Sequence, residues 1–341
     1  MKPRLEQKLR KIHANPSSRE FILADAKDAD MCWGVPSPGR IGNETNGRWR
    51  TMPEFLEQIR QIVDQGIVDI MLASVSTMSR LAHREKLFAK SDVTPAIRAN
   101  DTSDVWCPRG GKYREHPSLA FATTHIDEAQ FGSVVPKKKG KPVVNLGLYS
   151  VTFNNQPPID REALVAFREF RAEARRKGFQ YFLEVFAPNV DAGLRPGEIP
   201  FFVNDHICRM LAGVALADRP LFLKVPYFGP RALEELVAYD PATIVGVMGG
   251  SSGTTLDAFE LLADAQKYGA RLALFGRKIK DAEDPLAFIA FMRRIVNGKI
   301  KPVEAVKAYH AELKRQKITP RRALAEDLKS ANTETGYGRN R

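Results

Sequence analysis

Residues 221–275 contain three short apolar runs, LFLKV at 221–225, TIVGVM at 243–248 and RLALF at 271–275, separated by helical stretches. Strands that alternate with amphipathic helices are typical of βαβ units, because parallel strands need a crossover connection. Five further runs precede them and are predicted as strands in the same pattern: 21–25, 67–73, 94–98, 143–149 and 179–185.

Eight βα units in a chain of this length predict the α/β class, as a (β/α)8 TIM barrel. Long loops are expected after strand one, at 32–49, and after strand three, at 100–141. We expect one barrel domain over 1–317, with a C-terminal helical extension, followed by a basic and mobile tail at 318–341. A doubly wound open sheet is the alternative, although the first βα turn has no GxGxxG.

The net charge of +12 is concentrated at the two ends of the chain. Residues 1–12 carry +4 and residues 314–341 carry +5, so the body of the chain carries only +3. A groove that follows phosphates needs a basic stripe on the folded body. We therefore expect no nucleic-acid partner.

Cysteine and hydropathy patterns predict a cytoplasmic location. The three cysteines show no CxxC spacing, so neither a disulfide framework nor a structural zinc site is expected. The charged start has no apolar segment of a signal peptide, and no apolar run approaches the ~20 residues of a membrane span. The six histidines show no HxH or HExxH spacing, so no catalytic metal is expected.

Two charged residues interrupt the most apolar strands and are candidate catalytic groups. Lys224 lies in LFLKV and Glu184 lies in YFLEV, on the strand predicted to be adjacent. Burial favours the neutral amine, which is the form that attacks a carbonyl to make a Schiff base. Glu184 is a candidate general acid and base. A purely structural ion pair is the alternative for both residues.

Other candidates lie at the carboxyl ends of predicted strands, where barrel chemistry takes place. Asp25 ends the first strand and is either a proton-transfer or substrate-binding group or a turn residue; Lys27 and Asp28 are expected in the following loop. Glycines and a helix start suit a phosphate. The predicted phosphate site comprises residues after strands seven and eight: Gly249, Gly250, Ser251, Gly276 and Arg277.

These features in this order resemble the class I aldolases of the deoxyribose-phosphate, tagatose-bisphosphate and fructose-bisphosphate group, and most closely class I tagatose-1,6-bisphosphate aldolase. Phe-Leu-Glu at 182–184 matches the catalytic-glutamate motif and Leu-Lys-Val at 223–225 matches the Schiff-base motif. Asp25 matches the aspartate at the end of strand one. The glycines after strand seven and Gly276-Arg277 match the phosphate motifs. The resemblance is strongest over about 160–280.

The resemblance implies reversible carbon–carbon cleavage of a phosphorylated ketose, with no cofactor, in a homo-oligomer. The family presents a lysine on strand four, whereas this sequence has Asn145 in the equivalent stretch. Asn145 and Arg98 are therefore expected to bind substrate. The alternatives are a cofactor-free isomerase, epimerase or decarboxylase that acts on phospho-sugars, and a non-catalytic phospho-sugar-binding protein.

Overall fold

A computed structural model describes residues 1–15, 17–41, 47–136, 140–250 and 253–331. Eight parallel strands close into a barrel in the order β1-β8-β7-β6-β5-β4-β3-β2, with β2 paired to β1. The (β/α)8 prediction is confirmed, and each predicted strand coincides with one barrel strand. The strands are β1 Ile22–Lys27, β2 Ile70–Ala73, β3 Thr94–Arg98, β4 Leu146–Thr152, β5 Gln180–Phe186, β6 Leu223–Val225, β7 Val245–Met248 and β8 Leu272–Phe275.

Helices surround the barrel, and many begin at clear sequence signals. Thr51 and Thr254 each form a capping box, with Glu54 and Asp257 respectively. The helices are α1 Pro3–Ala14, α2 Asp30–Trp33, α3 Met52–Gln65, α4 Val75–Met78, α5 Ile126–Phe131, α6 Pro157–Lys177, α7 Ile199–Ala212, α8 Pro230–Tyr239, α9 Thr255–Lys267, α10 Arg277–Lys280, α11 Pro285–Val296, α12 Pro302–Arg315 and α13 Leu324–Asp327. None of the helices that the structure describes is long and apolar enough to cross a membrane.

Strand alternation divides the apolar residues into two layers. Side chains such as Phe182 and Phe222 face the barrel interior, where their rings stack with centroids 4.6 Å apart. Their chain neighbours Leu183 and Leu223 face the helices instead. The side of a strand on which a polar residue falls therefore decides whether it reaches the barrel interior or the helix layer.

Helix α1 closes the amino-terminal end of the barrel. Its buried residues Leu5, Leu9 and Ile12 belong to the same cluster as the barrel interior. The interior at the amino-terminal end of the barrel is thus filled by packed side chains.

Asp69 holds α1 against this end of the barrel. Its carboxylate accepts a hydrogen bond from the Leu23 N–H at 2.9 Å and pairs with Arg4, Lys8 and Arg293 at 3.2, 3.0 and 2.7 Å. One buried carboxylate therefore joins α1 and α11 to the start of the barrel.

Replacing Asp69 by Asn should lower the free energy of unfolding by about 1.5–3 kcal/mol, because charge-assisted hydrogen bonds are lost and three cations remain. Urea denaturation measures the change. Glu20→Gln is the matched control, since Glu20 forms its ion pair with the exposed Lys11, and should cost at most about 1 kcal/mol. Equal losses in the two variants would contradict the anchoring role of Asp69.

Both predicted long loops carry small antiparallel ribbons, Arg40–Ile41 with Arg48–Trp49 and Asp101–Thr102 with Ala120–Phe121. The segment at 99–125, after β3, is called the β3 excursion below. The buried carboxylate of Asp104 anchors it by accepting hydrogen bonds from the hydroxyls of Ser118 and Thr152, at 2.9 and 3.2 Å. The excursion is thereby fixed to β4.

The described part of the expected tail, 318–331, lies against the barrel. Asp327 accepts hydrogen bonds from the Thr255 N–H and from His310 Nε2, and Ser330 donates to Asp257. Burial alone would raise the pKa of Asp327, but these hydrogen bonds hold it below its ordinary value. Barrel contacts therefore continue beyond the predicted boundary at 317; residues 332–341 lie outside the described chain.

Candidate active site

A cavity of about 310 Å³ opens at the carboxyl end of the barrel. Its floor comprises inward side chains from adjacent strands, including Arg98, Glu184 and Lys224. The loops after β1 and β3 form part of its wall. Five of the predicted site residues besides Lys224 and Glu184 line this cavity: Arg98, Gly249, Gly250, Gly276 and Arg277.

Lys224 and Glu184 are in register on β6 and β5 and form an ion pair. The Lys224 side chain is 9% exposed and that of Glu184 is 1% exposed. The Ser150 hydroxyl, in register with Glu184 on β4, donates to the other carboxylate oxygen at 2.6 Å. The amine at the cavity floor thus has a fixed carboxylate with which it can exchange a proton.

Arg98 supplies the second buried positive charge. Its guanidinium donates to Asp28 at 3.0 Å and to the Ser150 hydroxyl at 3.1 Å, and lies 3.7 Å from Glu184. Burial alone would lower the pKa of Arg98, but the carboxylates of Asp28 and Glu184 raise it above its ordinary value. Arg98 is therefore a permanent cation that balances both carboxylates.

The structure places Asp25 outside the cavity, which corrects its expected position. Alternation along β1 puts Ile22, Ala24 and Ala26 on the inner face and leaves Asp25 on the outer face. Strand β1 also runs on to Lys27, two residues beyond the predicted end. Asp28 is the first inward carboxylate after the strand, and it lines the cavity.

Asp25 pairs instead with Lys27, which shares its face of β1. The Lys27 amine lies 2.8 Å from a carboxylate oxygen of Asp25, and both side chains are fully buried. Burial raises the pKa of Asp25 and lowers that of Lys27. This is a separate ion pair in the helix layer.

Glycines at the ends of β7 and β8 are required by the close approach of neighbouring protein atoms. A Cβ at Gly249 would lie 2.3 Å from the Phe275 ring, and one at Gly276 would lie 3.0 Å from the Ala26 carbonyl oxygen. Gly250 has a φ of +57°, which favours glycine. We call Gly249, Gly250, Gly276 and the adjoining Arg277 the glycine cradle. Ser251 lies outside the described residues.

The Trp33 ring supports Arg277 from the loop after β1. The guanidinium carbon lies 5.7 Å from the ring centroid, within the range of a cation–π contact. A flat aromatic face thus holds the guanidinium at the cavity wall. Trp33 belongs to no recognisable sequence motif. It could not be predicted as a site residue, because its contact with Arg277 depends on how the loop after β1 folds.

Asn145 does not belong to the site. Strand β4 begins at Leu146, so Asn145 lies at the amino-terminal end of the barrel, away from the cavity. Its amide donates to the Gly178 carbonyl at 2.9 Å and accepts from Gln130 at 2.7 Å. Ser150 is the polar residue that β4 places beside Glu184, and alternation from Leu146 could have identified it once the strand start was known.

Two cysteines, Cys32 and Cys107, line the cavity. Burial raises the pKa of the Cys32 thiol to about 12, and the Cys107 N–H donates to the Cys32 carbonyl at 2.8 Å. No group of three or more His, Cys, Asp or Glu side chains in the described ranges could hold a metal ion.

A second cavity, of about 270 Å³, adjoins the glycine cradle and shares Gly250 and Arg277 with the first. Lys278 lines it and donates to the Gly253 carbonyl at 3.3 Å. Burial lowers the pKa of Lys278 from 10.5 to about 8. The folded protein therefore takes up this proton less readily than the unfolded chain.

Lys278→Met should stabilise the fold more at pH 7 than at pH 10. Between about pH 8 and 10.5 the unfolded chain binds the proton and the folded chain does not, so wild-type stability rises with pH in that window. Urea midpoints at the two pH values test this, with the exposed Lys299→Met as the charge-matched control. A stability difference between Lys278→Met and wild type that stays constant with pH would contradict the burial argument.

The fold and cavity together define a (β/α)8 barrel with a buried lysine–glutamate pair at its carboxyl end. No protein-family model matches the chain, and no curated protein matches it. Among solved structures, it is similar to an archaeal fructose 1,6-bisphosphate aldolase, with a TM-score of 0.59 and 14% identity over 85% of this chain and 99% of that chain.

A structure of the Schiff-base-forming fructose-1,6-bisphosphate aldolase matches with a TM-score of 0.58 at 14% identity, over 85% of this chain and 99% of that chain. Cgl0159 from Corynebacterium glutamicum matches with a TM-score of 0.55 at 17% identity, over 88% and 99%. These identities show a shared fold. The finer resemblance to tagatose-1,6-bisphosphate aldolase stays a prediction.

Proposed function

We propose that the protein is a class I aldolase-like lyase that makes or cleaves a carbon–carbon bond of a phosphorylated ketose through a Schiff base on Lys224. The observation that carries the proposal is the buried Lys224–Glu184 pair at the floor of a cavity that also contains a glycine cradle. A nucleophile needs a nearby base, and a distant phosphate site fixes the carbonyl next to it. No cofactor is needed.

The reaction begins when Glu184 accepts a proton from the Lys224 ammonium. The free amine then attacks the ketone and forms a carbinolamine. Glu184 returns a proton to the carbinolamine hydroxyl, which leaves as water and gives an iminium. The Ser150 hydroxyl and Arg98 stabilise Glu184 whenever it is ionised, because both contact its second oxygen.

Asp28 is the carboxylate suited to cleave the bond. It accepts the proton of the substrate hydroxyl as the adjacent carbon–carbon bond breaks, and the bonding electrons pass into the iminium to form an enamine. Protonation of the enamine and hydrolysis of the resulting iminium release the second product and free Lys224. Arg98 holds Asp28 at the cavity wall by donating a hydrogen bond to its carboxylate.

The glycine cradle binds the substrate phosphate in this proposal. Small residues let the phosphate reach backbone N–H groups, and helix α10 begins at Arg277 beside it. Phosphates commonly bind after strands seven and eight in such barrels. A phosphate held there leaves the ketone free to reach Lys224.

Borohydride trapping tests the Schiff base directly. Incubation with dihydroxyacetone phosphate followed by borohydride should add one reduced adduct, located on the peptide that contains Lys224. Lys224→Met should abolish the adduct, and the exposed Lys307→Met should retain it. A folded wild-type protein that binds the phosphate without forming an adduct would favour a non-covalent isomerase, epimerase or decarboxylase, or a binding protein.

Asp28→Asn should lower the rate of bond cleavage by about 10²–10⁴-fold, because a general base is lost, while adduct formation on Lys224 continues. Asp25→Asn should act on stability instead, since it leaves Lys27 buried without its partner, a loss of about 3–5 kcal/mol. The double variant Asp25→Asn with Lys27→Gln restores balance and should keep the wild-type rate. A rate loss confined to the Asp25 variants would overturn the assignment.

A further inference from the structure

We propose that the cavity wall opposite the glycine cradle is a carboxylate subsite centred on Arg114. This inference rests on the proposed function, because it takes Lys224 as the centre of the bound substrate. The substrate would then be a sugar acid or a related hydroxy acid, with a phosphate at one end and a carboxylate at the other.

The barrel topology separates the two subsites. Strand β3 lies four strands from β7 in either direction around the barrel, so the β3 excursion and the glycine cradle start from opposite sides. Arg114 lies in a short 3-10 turn of that excursion, Tyr113–Glu115, and lines the cavity. A ligand that contacts both Arg114 and the cradle has to pass over the cavity floor, where Lys224 lies.

The backbone at Arg114 is held in place by neighbouring elements. Asn189, after β5, donates from its amide to the Arg114 carbonyl at 3.1 Å and accepts from the Ser118 N–H at 3.1 Å. The Trp106 ring packs edge-on against Tyr113, with centroids 6.0 Å apart. These contacts need no ligand, so the backbone that carries Arg114 is held beside the cavity in advance.

The charge of Arg114 is unbalanced. Within the chain that the structure describes, its guanidinium has no ion pair or hydrogen bond, whereas Arg98 and Lys224 both pair with carboxylates. Arg277 likewise has no ion pair among the described residues and contacts the Trp33 ring. Two uncompensated guanidinium groups therefore line one small cavity from different sides, and each favours an anion.

The surroundings of Arg114 suit a carboxylate better than a phosphate. The buried carboxylate of Asp104 lines the same cavity from the same excursion, and it repels a dianion more strongly than a monoanion. A planar guanidinium also matches a carboxylate through two parallel hydrogen bonds. The cradle, in contrast, combines glycines, which let an anion approach the backbone closely, with Arg277, and this combination suits the doubly charged phosphate.

Calorimetry with three linear six-carbon ligands tests the subsite without requiring turnover. Each ligand carries a phosphate at one end, and the other end is a carboxylate in 6-phosphogluconate, a hydroxymethyl group in glucitol 6-phosphate and a second phosphate in glucitol 1,6-bisphosphate. The wild-type protein should bind 6-phosphogluconate at least tenfold more tightly than glucitol 6-phosphate. The bisphosphate should bind no more tightly than 6-phosphogluconate.

Arg114→Gln should remove the preference for the carboxylate and leave binding of glucitol 6-phosphate unchanged. Arg109→Gln is the matched control, since Arg109 is an exposed arginine of the same excursion that does not line the cavity. Equal wild-type affinities for the first two ligands, or an unchanged preference in Arg114→Gln, would refute the subsite. Tighter binding of the bisphosphate would also refute it, in favour of a second phosphate site.

Borohydride trapping separates this result from the proposed function. An adduct on Lys224 with no effect of Arg114 in calorimetry would leave the aldolase mechanism standing and refute the carboxylate subsite. A carboxylate preference that depends on Arg114, without any adduct, would support the subsite and refute the Schiff base.

Discussion

Three buried charged side chains and the partly buried Asp28 lie together at the carboxyl end of the barrel, and their mutual neutralisation is the condition on which the site depends. Lys224 and Arg98 supply two positive charges, and Glu184 and Asp28 supply two negative ones. An isolated ion at this depth costs several kcal/mol, so each charge requires the others. The same balance keeps a proton acceptor beside the amine and a carboxylate beside the arginine, which is the arrangement that reversible bond cleavage needs.

The two ends of the barrel use buried charge differently. At the amino-terminal end, one carboxylate, Asp69, is surrounded by three cations and a backbone N–H, beneath a helix that fills the remaining space. That end is closed and carries no cavity among the residues of the interior cluster. At the carboxyl end the inward residues include glycines, and the strands are followed by long loops, so space is left for a ligand. The Asp69 ion cluster and the proposed reaction site therefore lie at opposite ends of the same eight strands.

The sequence predicted the strands and the central pair because both leave strong local signals. A lysine and a glutamate inside apolar runs are costly unless they pair, and adjacent strands bring them together. Asp25 and Asn145 were misplaced for a different reason: strand β1 continues two residues past its apolar run, and β4 begins three residues after the predicted start. A shift of one residue moves a side chain to the other face of the strand. Arg114 could not be predicted, because its position depends on the folding of a long excursion.

The strand-four lysine of the resembled family has a physical substitute in this chain. Strand β4 presents the neutral Ser150 beside Glu184, and the missing positive charge comes from Arg98 on the neighbouring strand β3, whose guanidinium donates to the Ser150 hydroxyl. A guanidinium stays charged where a lysine amine can lose its proton, so only Lys224 can serve as the amine nucleophile on the cavity floor. Because this positive charge is carried by Arg98 on β3 and not by a residue of β4, it also reaches Asp28. Arg98 thus balances the charges of both Asp28 and Glu184. The cavity wall beyond Arg98 can then bind the end of the substrate that does not carry the phosphate in the glycine cradle.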